Sequence, residues 1–488
     1  MAEVRVAEAA LMATLPDGAL MQRAAAGLAV HCGRLLRRVY GAPVAVLVGA
    51  GDNGGDGLYA AARLAGRGAR VTAVLLSPGR THPGGLAALR AAGGRAVTAS
   101  AADRPEGPVR PAALAAARDA ELVLDAIVGI GGSGGLRPAA AELAAAAAAG
   151  RAARVAVDLP SGVDADTGAV PGAAFDAQVT VTFGCLKPGL LVGDGAERSG
   201  DVRLVDIGLG PHLPEARVRV LDPADVADLV PMPDARDDKY TRGVVGVVAG
   251  SAHFSGAAVL SAGAAVRGGA GMVRYAGSAA PYVRARWPEA IVSEGRPSEA
   301  GRVQCWVAGP GISSGDDGAA LLREVLGTDV PVLVDATGLA LLADALAADP
   351  DLLRRRAAPT VLTPHDREFA KLAGEVGADR IGAARRAAAQ LGAVLLLKGN
   401  ATVVASPDGA VYVNPTGTAW LATAGTGDVL SGLGGALLGG GLEPAAAAAA
   451  AAYLHGLAGR LAADGAPTSA AAVLEAVPAA LRTVLAAR

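Results

Sequence analysis

The stretch TAGTGDVLSG, residues 423–432, sets Asp428 directly behind Gly425, Thr426 and Gly427 and ahead of an alanine-rich helical segment. A small-residue turn that opens a helix exposes successive peptide N–H groups, which stabilise negative charge developing on a transferring phosphoryl group. A carboxylate beside them can accept the proton of an attacking hydroxyl. The pairing says more than either half. Upstream, LLLKGNATVVAS (395–406) ends an apolar run at Lys398, a point charge suited to phosphate, and Gly399 frees backbone amides to join it before Thr402 opens the next run. VLTPHDREFAKL (361–372) puts His365 at another strand end with Glu368 one helical turn on; a lone histidine is as readily structural as functional. VAGPGISSG (307–315) adds a glycine turn that is weak evidence alone.

The first half carries a second constellation. GAGDNGGDG (49–57) follows an apolar run and precedes a helical one; its glycines allow close backbone approach, and amides at a helix start favour anionic groups. Asp52, Asn53 and Asp56 are not needed for a turn, and the acidic pair repels a bare phosphate, so the loop suits a hydroxyl-rich or cationic ligand. LDAIVGIGGSGGLRP (124–138) sets Asp125 at a strand terminus before a glycine-rich loop, and VAVDLPSGVDADTG (155–168) sets Asp158, Ser161 and Asp164 at the next. Asn53, Asp125 and Ser161 together offer amide, carboxylate and hydroxyl oxygens for a hard cation, whereas no His/Cys set offers zinc a site. Asp158 or Asp164 is left for acid–base work; the bland alternative is that these aspartates cap helices.

Such residues need a frame that brings strand ends together. Short β-branched runs alternate with alanine-rich helical stretches, which predicts parallel strands joined by helical crossovers. In the first half the runs lie at 43–49, 70–77, 121–129, 154–160, 178–184 and 202–208. The rhythm lapses over residues 211–243, rich in proline and charge, and resumes with GVVGVVAG (243–250), GMVRYAG, CWVAGPG, VPVLVDATG, PTVLTPH, AVLLLKG and ATVVAS. The expectation is two doubly wound α/β domains, residues 1–215 and 216–488, with 216–240 linker-like. Ligands of open parallel sheets bind at the carboxyl ends of the strands, where nearly every unusual polar motif here falls.

Composition bounds the rest. The 488 residues are 52% hydrophobic and 18% charged, enough apolar surface for packed cores. A formal charge of -2 and only 3% aromatics argue against nucleic acid or an anionic membrane as partner. Cys32, Cys185 and Cys305 are too few and too scattered for a disulfide framework, so a reducing, cytoplasmic setting is expected. The N-terminus lacks the pattern of a signal peptide.

The first-half motifs, with the preceding VRVAEAALMATLPDGALMQRAA (4–25), resemble the NAD(P)H-hydrate epimerase domain of the YjeF N-terminal type, which is Rossmann-like. FSGAAVLSAGAAVRGGAGMVRYA, VAGPGI, VLTPHDREFAKL, LLLKGNATVV and TAGTGDVLSGLGGALL resemble the ADP-dependent NAD(P)H-hydrate dehydratase domain, a relative of ribokinase-type kinases. Two departures stand out: Asp52 where the first family has Asn, and Thr337 and Gly338 in VDATGLALLA (334–343), where the second usually reads Asp-Ala-Asp-Ala-Leu.

The resemblance implies a bifunctional repair enzyme for hydrated nicotinamide cofactors. It implies a K+ site at Asn53, Asp125 and Ser161, and an epimerase pocket at Asp52, Asn53, Gly54, Gly55, Asp56, Gly129, Ile130, Gly131, Gly132, Ser133, Gly134, Gly135 and Asp158. For the dehydratase it implies Ala257, Gly311, His365 and Asp428 around the hydrate, with Lys398, Gly399, Asn400, Ala401, Thr402, Gly425, Thr426 and Gly427 around ADP and its Mg2+. Asp428 is the expected general base; which of Asp56, Asp158 and Asp164 moves the epimerase proton stays open. The partners expected are small molecules and further copies of the chain, with no nucleic acid and no membrane. A ribokinase-like kinase for a small alcohol and a non-catalytic adenine-nucleotide sensor are the alternatives.

Overall fold

A computed structural model describes residues 1–100 and 107–488, and the chain divides into two compact units, Met1–Ala216 and Arg217–Arg488. In the first, seven strands form one sheet: β1 (Pro43–Val48), β2 (Arg70–Leu75), β3 (Arg95–Thr98), β4 (Leu122–Ala126), β5 (Ala153–Val157), β6 (Val179–Phe183) and β7 (Asp201–Val205). All the pairings are parallel and the order is β3-β2-β1-β4-β5-β6-β7. Chain order reverses between β1 and β4, which opens a crevice beyond their carboxyl ends. The central strands are buried throughout because helices cover both faces, and they read as near-continuous Val/Leu/Ala runs. β3 is not among the strands the sequence pattern predicts: RAVT is short, and no residue of it is fully buried, so it carries little hydrophobic signal.

The second unit holds β8 (Val218–Arg219), β9 (Val244–Val248), β10 (Met272–Ala276), β11 (Ile291–Ser293), β12 (Cys305–Ala308), β13 (Val332–Val334), β14 (Thr360–Leu362), β15 (Val394–Leu397), β16 (Val403–Ala405) and β17 (Val411–Val413). Their order is β11-β10-β9-β12-β13-β14-β15-β16-β17-β8, parallel except where β16 runs against both of its neighbours. Here the reversal lies between β9 and β12. The segment 216–240, expected to be linker-like, is in part structural. β8 pairs with β17 at the sheet edge, and the helix Pro223–Leu229 buries Val226 and Ala227 completely. Asp222 and Asp225 close a reciprocal cap on that helix, so the proline and charge that resemble a linker are helix-start chemistry.

The core of this unit is built from small residues. The helix Pro444–Ala463 is buried on nearly every side over residues 445–456, which its unbroken alanines permit. The helix Thr426–Gly439, which carries Asp428, is buried from Val429 to its end. Its glycines allow very close packing: a Cβ on Gly432 would lie 2.1 Å from the Ser261 carbonyl oxygen, and one on Gly435 would lie 2.3 Å from Val307 Cγ2. Among the described residues no helix is long and apolar enough to cross a membrane.

Candidate active sites

In the first unit, Asp125 near the end of β4 is fully buried. Its Oδ2 accepts from the Ser161 backbone N–H at 2.7 Å, and its Oδ1 accepts from Ser161 Oγ at 2.7 Å and from the Ile127 N–H at 3.2 Å. Burial pushes its pKa up to about 6, and these hydrogen bonds only partly oppose it. Ser161 Oγ in turn accepts from the Val128 N–H at 3.1 Å. Asn53 lies in the first turn of the neighbouring helix Asp52–Gly66; its Nδ2 is buried without a hydrogen-bond partner among the described residues, and a Cβ on Gly129 would lie 3.1 Å from its Oδ1. A carboxylate buried with no basic partner among the described residues, a hydroxyl and an amide whose nitrogen finds no bond among them make an oxygen-rich pocket, and the donor set fits a monovalent cation such as K+. No group of three His, Cys, Asp or Glu gathers to hold a metal among the described residues.

Beside this pocket lies an acid–base cluster. Asp158, directly after β5, takes φ of +68°, a left-handed conformation tolerated best by Gly, Asn and Asp. Its Oδ1 accepts from Lys187 Nζ at 2.6 Å and from Thr182 Oγ1 at 3.1 Å. Lys187 is 1% exposed and also donates to the Phe183 carbonyl at 2.8 Å and to Thr182 Oγ1 at 2.9 Å. Asp56 has its pKa pushed well up, first by burial and then by Asp158, Asp52 and Glu8; Glu8 is likewise raised, first by burial and then by Asp158. The cluster thus spans the N-terminal helix Ala2–Met12, the helix after β1 and the ends of β5 and β6.

Sequence reasoning missed Lys187 and Glu8. The strand-end rule points to Lys187, which stands in FGCLKPG just past β6. Asp164, expected as an acid–base candidate, is committed elsewhere: its Oδ1 accepts from Thr167 Oγ1 at 2.7 Å and from the N–H groups of Thr167 at 2.9 Å and Asp166 at 3.1 Å. Burial alone would raise its pKa, but those bonds outweigh it and hold the pKa low, as befits a turn-forming carboxylate. In the glycine loop, Arg5 reaches Ile130, donating to its carbonyl at 3.3 Å; Gly134 takes φ of +77°, and Gly131, Gly132, Ser133 and Gly135 complete the loop.

In the second unit, Gly425 takes φ of +91° and leads into the helix Thr426–Gly439. The Thr426 amide bonds weakly to the Thr423 carbonyl at 3.4 Å, whereas the amides of Gly427 and Asp428 carry no protein partner among the described residues. Asp428 is pushed up to about 7, first by burial and then by the charge of Asp335, with Lys398 opposing. Ser261 Oγ, on the helix Ser255–Arg267, donates to the Asp428 carbonyl at 3.2 Å. The same helix carries Ala257, and a Cβ on Gly311 would lie 2.8 Å from the Ala257 Cβ.

Lys398, expected at the nucleotide phosphates, is ion-paired within the protein: its Nζ lies 2.6 Å from Asp335 Oδ1 and 3.7 Å from Glu368 Oε2. Burial would lower its pKa, but Asp335 and Glu368 outweigh that and raise it, so it stays charged. Asp335, 1% exposed just past β13, also accepts from Ser431 Oγ at 2.7 Å. In the sequence its carboxylate is legible only as part of an altered motif. His365 caps the helix Asp366–Ala373: its Nδ1 accepts from the N–H groups of Arg367 at 3.1 Å and Glu368 at 3.2 Å, while its exposed Nε2 stands 3.6 Å from Glu368 Oε1. Histidine therefore has the structural task as well as an open face. Thr402 Oγ1 donates to the Gly399 carbonyl at 3.1 Å, which closes the Lys398–Thr402 loop; Asn400 and Ala401 form its tip, and a Cβ on Gly417 would lie 1.8 Å from the Asn400 carbonyl. His455, also missed, is buried behind the turn, its Nε2 has no hydrogen-bond partner among the described residues, and burial pushes its pKa down to about 4, with the Thr426 backbone opposing.

The two sheets, each with polar residues at its switch point, define a pair of doubly wound α/β units, the first Rossmann-like and the second ribokinase-like. An Enterococcus faecalis ribokinase-like superfamily protein of known structure covers 56% of this chain and 98% of its own at 23% identity and a TM-score of 0.50, a likeness of fold. Residues 17–189 match the family described as YjeF-related protein N-terminus, and residues 245–478 match that described as NAD(P)H-hydrate dehydratase. Similar curated proteins are the bifunctional NAD(P)H-hydrate repair enzymes of Mycobacterium leprae, 52% identical across 100% of this chain and 98% of the relative, and of Mycobacterium tuberculosis, 53% identical across 91% and 90%. The chain belongs to the family of bifunctional NAD(P)H-hydrate repair enzymes.

Proposed function

We propose that this chain repairs hydrated nicotinamide cofactors: the first unit interconverts the R and S hydrates of NADH and NADPH, and the second dehydrates the S form at the expense of ADP. The observation that carries this reading is Asp428, a carboxylate of raised proton affinity set beside the partnerless amides of Gly427 and Asp428. The hydrate bears a hydroxyl on the ring carbon next to nitrogen, and hydroxide is a poor leaving group. Asp428 takes the hydroxyl proton as the oxygen attacks the β-phosphorus of ADP and AMP departs. The amides of Gly427 and Asp428 receive the charge on the moving phosphoryl group, and Gly425 and Thr426 form the turn that presents them. Phosphate then leaves from the ring carbon and a proton from its neighbour, which restores the dihydronicotinamide.

Ala257, Gly311 and the open face of His365 line the hydrate side, and Gly399, Asn400, Ala401 and Thr402 line the nucleotide side, with Lys398 held beneath them by Asp335. Mg2+ would ride on the ADP phosphates, its usual mode where carboxylates are few. In the first unit Asp158, oriented by Lys187, is better placed than Asp164 to move a proton, with Asp56 beside it. Asn53, Asp125 and Ser161 would hold K+, which would supply the positive charge that Asp125 lacks.

The test is to incubate the protein with chemically hydrated NADH and ADP and follow the return of dihydronicotinamide absorbance. Full recovery from a mixture of R and S hydrates is expected. Recovery of only the S fraction overturns the epimerase half, and no recovery with either ADP or ATP overturns the dehydratase half.

A further inference from the structure

Asp335 is not among the residues expected around either ligand, yet its surroundings are arranged around its carboxylate. Its Oδ1 is 2.6 Å from Lys398 Nζ and its Oδ2 accepts from Ser431 Oγ, one turn beyond Gly427 on the helix that carries Asp428. Ser431 Oγ also lies 3.0 Å from the Gly427 carbonyl. A Cβ on Gly427 would stand 3.6 Å from Asp335 Oδ2 and 3.7 Å from Lys398 Nζ, so the ion pair sits against the turn itself. We propose that Asp335 is a positioning residue of the dehydration: pinned by Lys398 and Ser431 against the turn that leads into Asp428, it makes Asp428 a stronger base. The inference rests on the dehydratase reading above and assigns this second carboxylate a role in it.

The groups around Asp428 support that assignment. Asp335 arrives from the end of β13 and Lys398 from the end of β15; Glu368, on the helix Asp366–Ala373, reaches Asp428 only through Lys398. The helix Ser255–Arg267 offers Leu260 against Gly425 and the Ser261 hydroxyl to the Asp428 backbone carbonyl, the helix Ala470–Leu485 offers Ala470 against Gly425, and His455 on the helix Pro444–Ala463 is held neutral by burial. Among these groups Asp335 is the charge that most favours the protonated form of Asp428, and Lys398 opposes it more weakly. A base with proton affinity near working pH transfers protons most effectively, because it is both ionised often enough and strong enough.

The experiment is the pH profile of kcat for S-hydrate dehydration in the full chain. Asp335→Asn is expected to move the acid-side midpoint down by about one pH unit, the scale of a nearby charge. Because that variant strands Lys398, the double variant Asp335→Asn/Lys398→Met is measured beside it; it leaves neither member of the pair buried alone, and its midpoint also falls. Ser431→Ala, which removes a hydrogen bond but no charge, keeps the wild-type midpoint. For any variant too slow to assay, the midpoint is read from the Asp428 carboxyl carbon in 13C-aspartate NMR, assigned with Asp428→Asn. An unchanged midpoint in both Asp335 variants, with rate lost equally at every pH, overturns the proposal while leaving the dehydratase reading intact; a wild type that dehydrates nothing overturns that reading instead.

Discussion

Replacing Asp125 by Asn tests whether the first unit is built around a cation. Burial lifts the Asp125 pKa from 3.8 to about 6. A rise of about two units corresponds to about 3 kcal/mol between its protonation states. Because the folded value lies above the unfolded one, stability is unimpaired below pH 4, declines as the pH climbs through 4 to 6, and carries the whole deficit at neutrality. Asn removes that charge but turns one acceptor into a donor. If its amide nitrogen replaces Oδ1, the Ile127 N–H loses its partner at a cost of about 1–2 kcal/mol, while the Ser161 hydroxyl can turn and accept. The variant should therefore gain about 1–2 kcal/mol at neutral pH without K+, a rise of about 2–8 °C in the melting temperature of a unit this size. K+ should raise the wild type by about 2.7 kcal/mol at one hundred times its Kd and leave the variant unmoved. Differential scanning calorimetry in KCl against tetramethylammonium chloride at matched ionic strength reads both effects. A wild type indifferent to K+, with a variant destabilised equally in both salts, refutes the reasoning.

Three further outcomes follow from the geometry. Asp428→Asn should lower dehydration by on the order of 100-fold or more while ADP affinity by calorimetry stays close to wild type, since a general base is lost and the amides remain. Asp158→Asn should strand the buried Lys187 ammonium, lowering the stability of the first unit by about 3–5 kcal/mol in denaturant titrations and slowing epimerisation. Gly425→Ala imposes about 1–2 kcal/mol of left-handed strain and sets a methyl group 2.8 Å from Leu260 Cδ1, so ADP binding by calorimetry should weaken even where the chain still folds.

The sheets are legible because buried parallel strands advertise themselves as unbroken Val/Leu/Ala runs, and the glycine turns because they follow such runs. β3, β8, β11 and β17 escape notice: each has two to four residues, and β3, β8 and β11 lie at sheet edges, where a strand needs no strong hydrophobic pattern. The aspartates are visible as residues but not as roles. Whether Asp164 closes a turn or Asp158 faces a lysine depends on partners from Thr167 and from beyond β6, and spacing along one strand carries no information about the next. Lys398 reads as a cation awaiting phosphate because its strand-end position is the same whether it is free or paired. Its partner lies 63 positions away, just past β13. His455 is hidden inside an alanine-rich helix that shows only propensity.

The close-packed helix Thr426–Gly439 has one more consequence. Its peptide dipoles add to roughly half a positive charge at the end where Asp428 and the partnerless amides lie. In an exposed helix, water and dissolved ions would weaken that field within about 10 Å. Here Val429 to Gly439 are enclosed by protein, so little mobile charge can collect along the shaft. The glycines that let the helix sink between its neighbours thus also help preserve the field at its tip, and the second unit's chemistry inherits an electrostatic aid that fades less with ionic strength than that of an exposed helix.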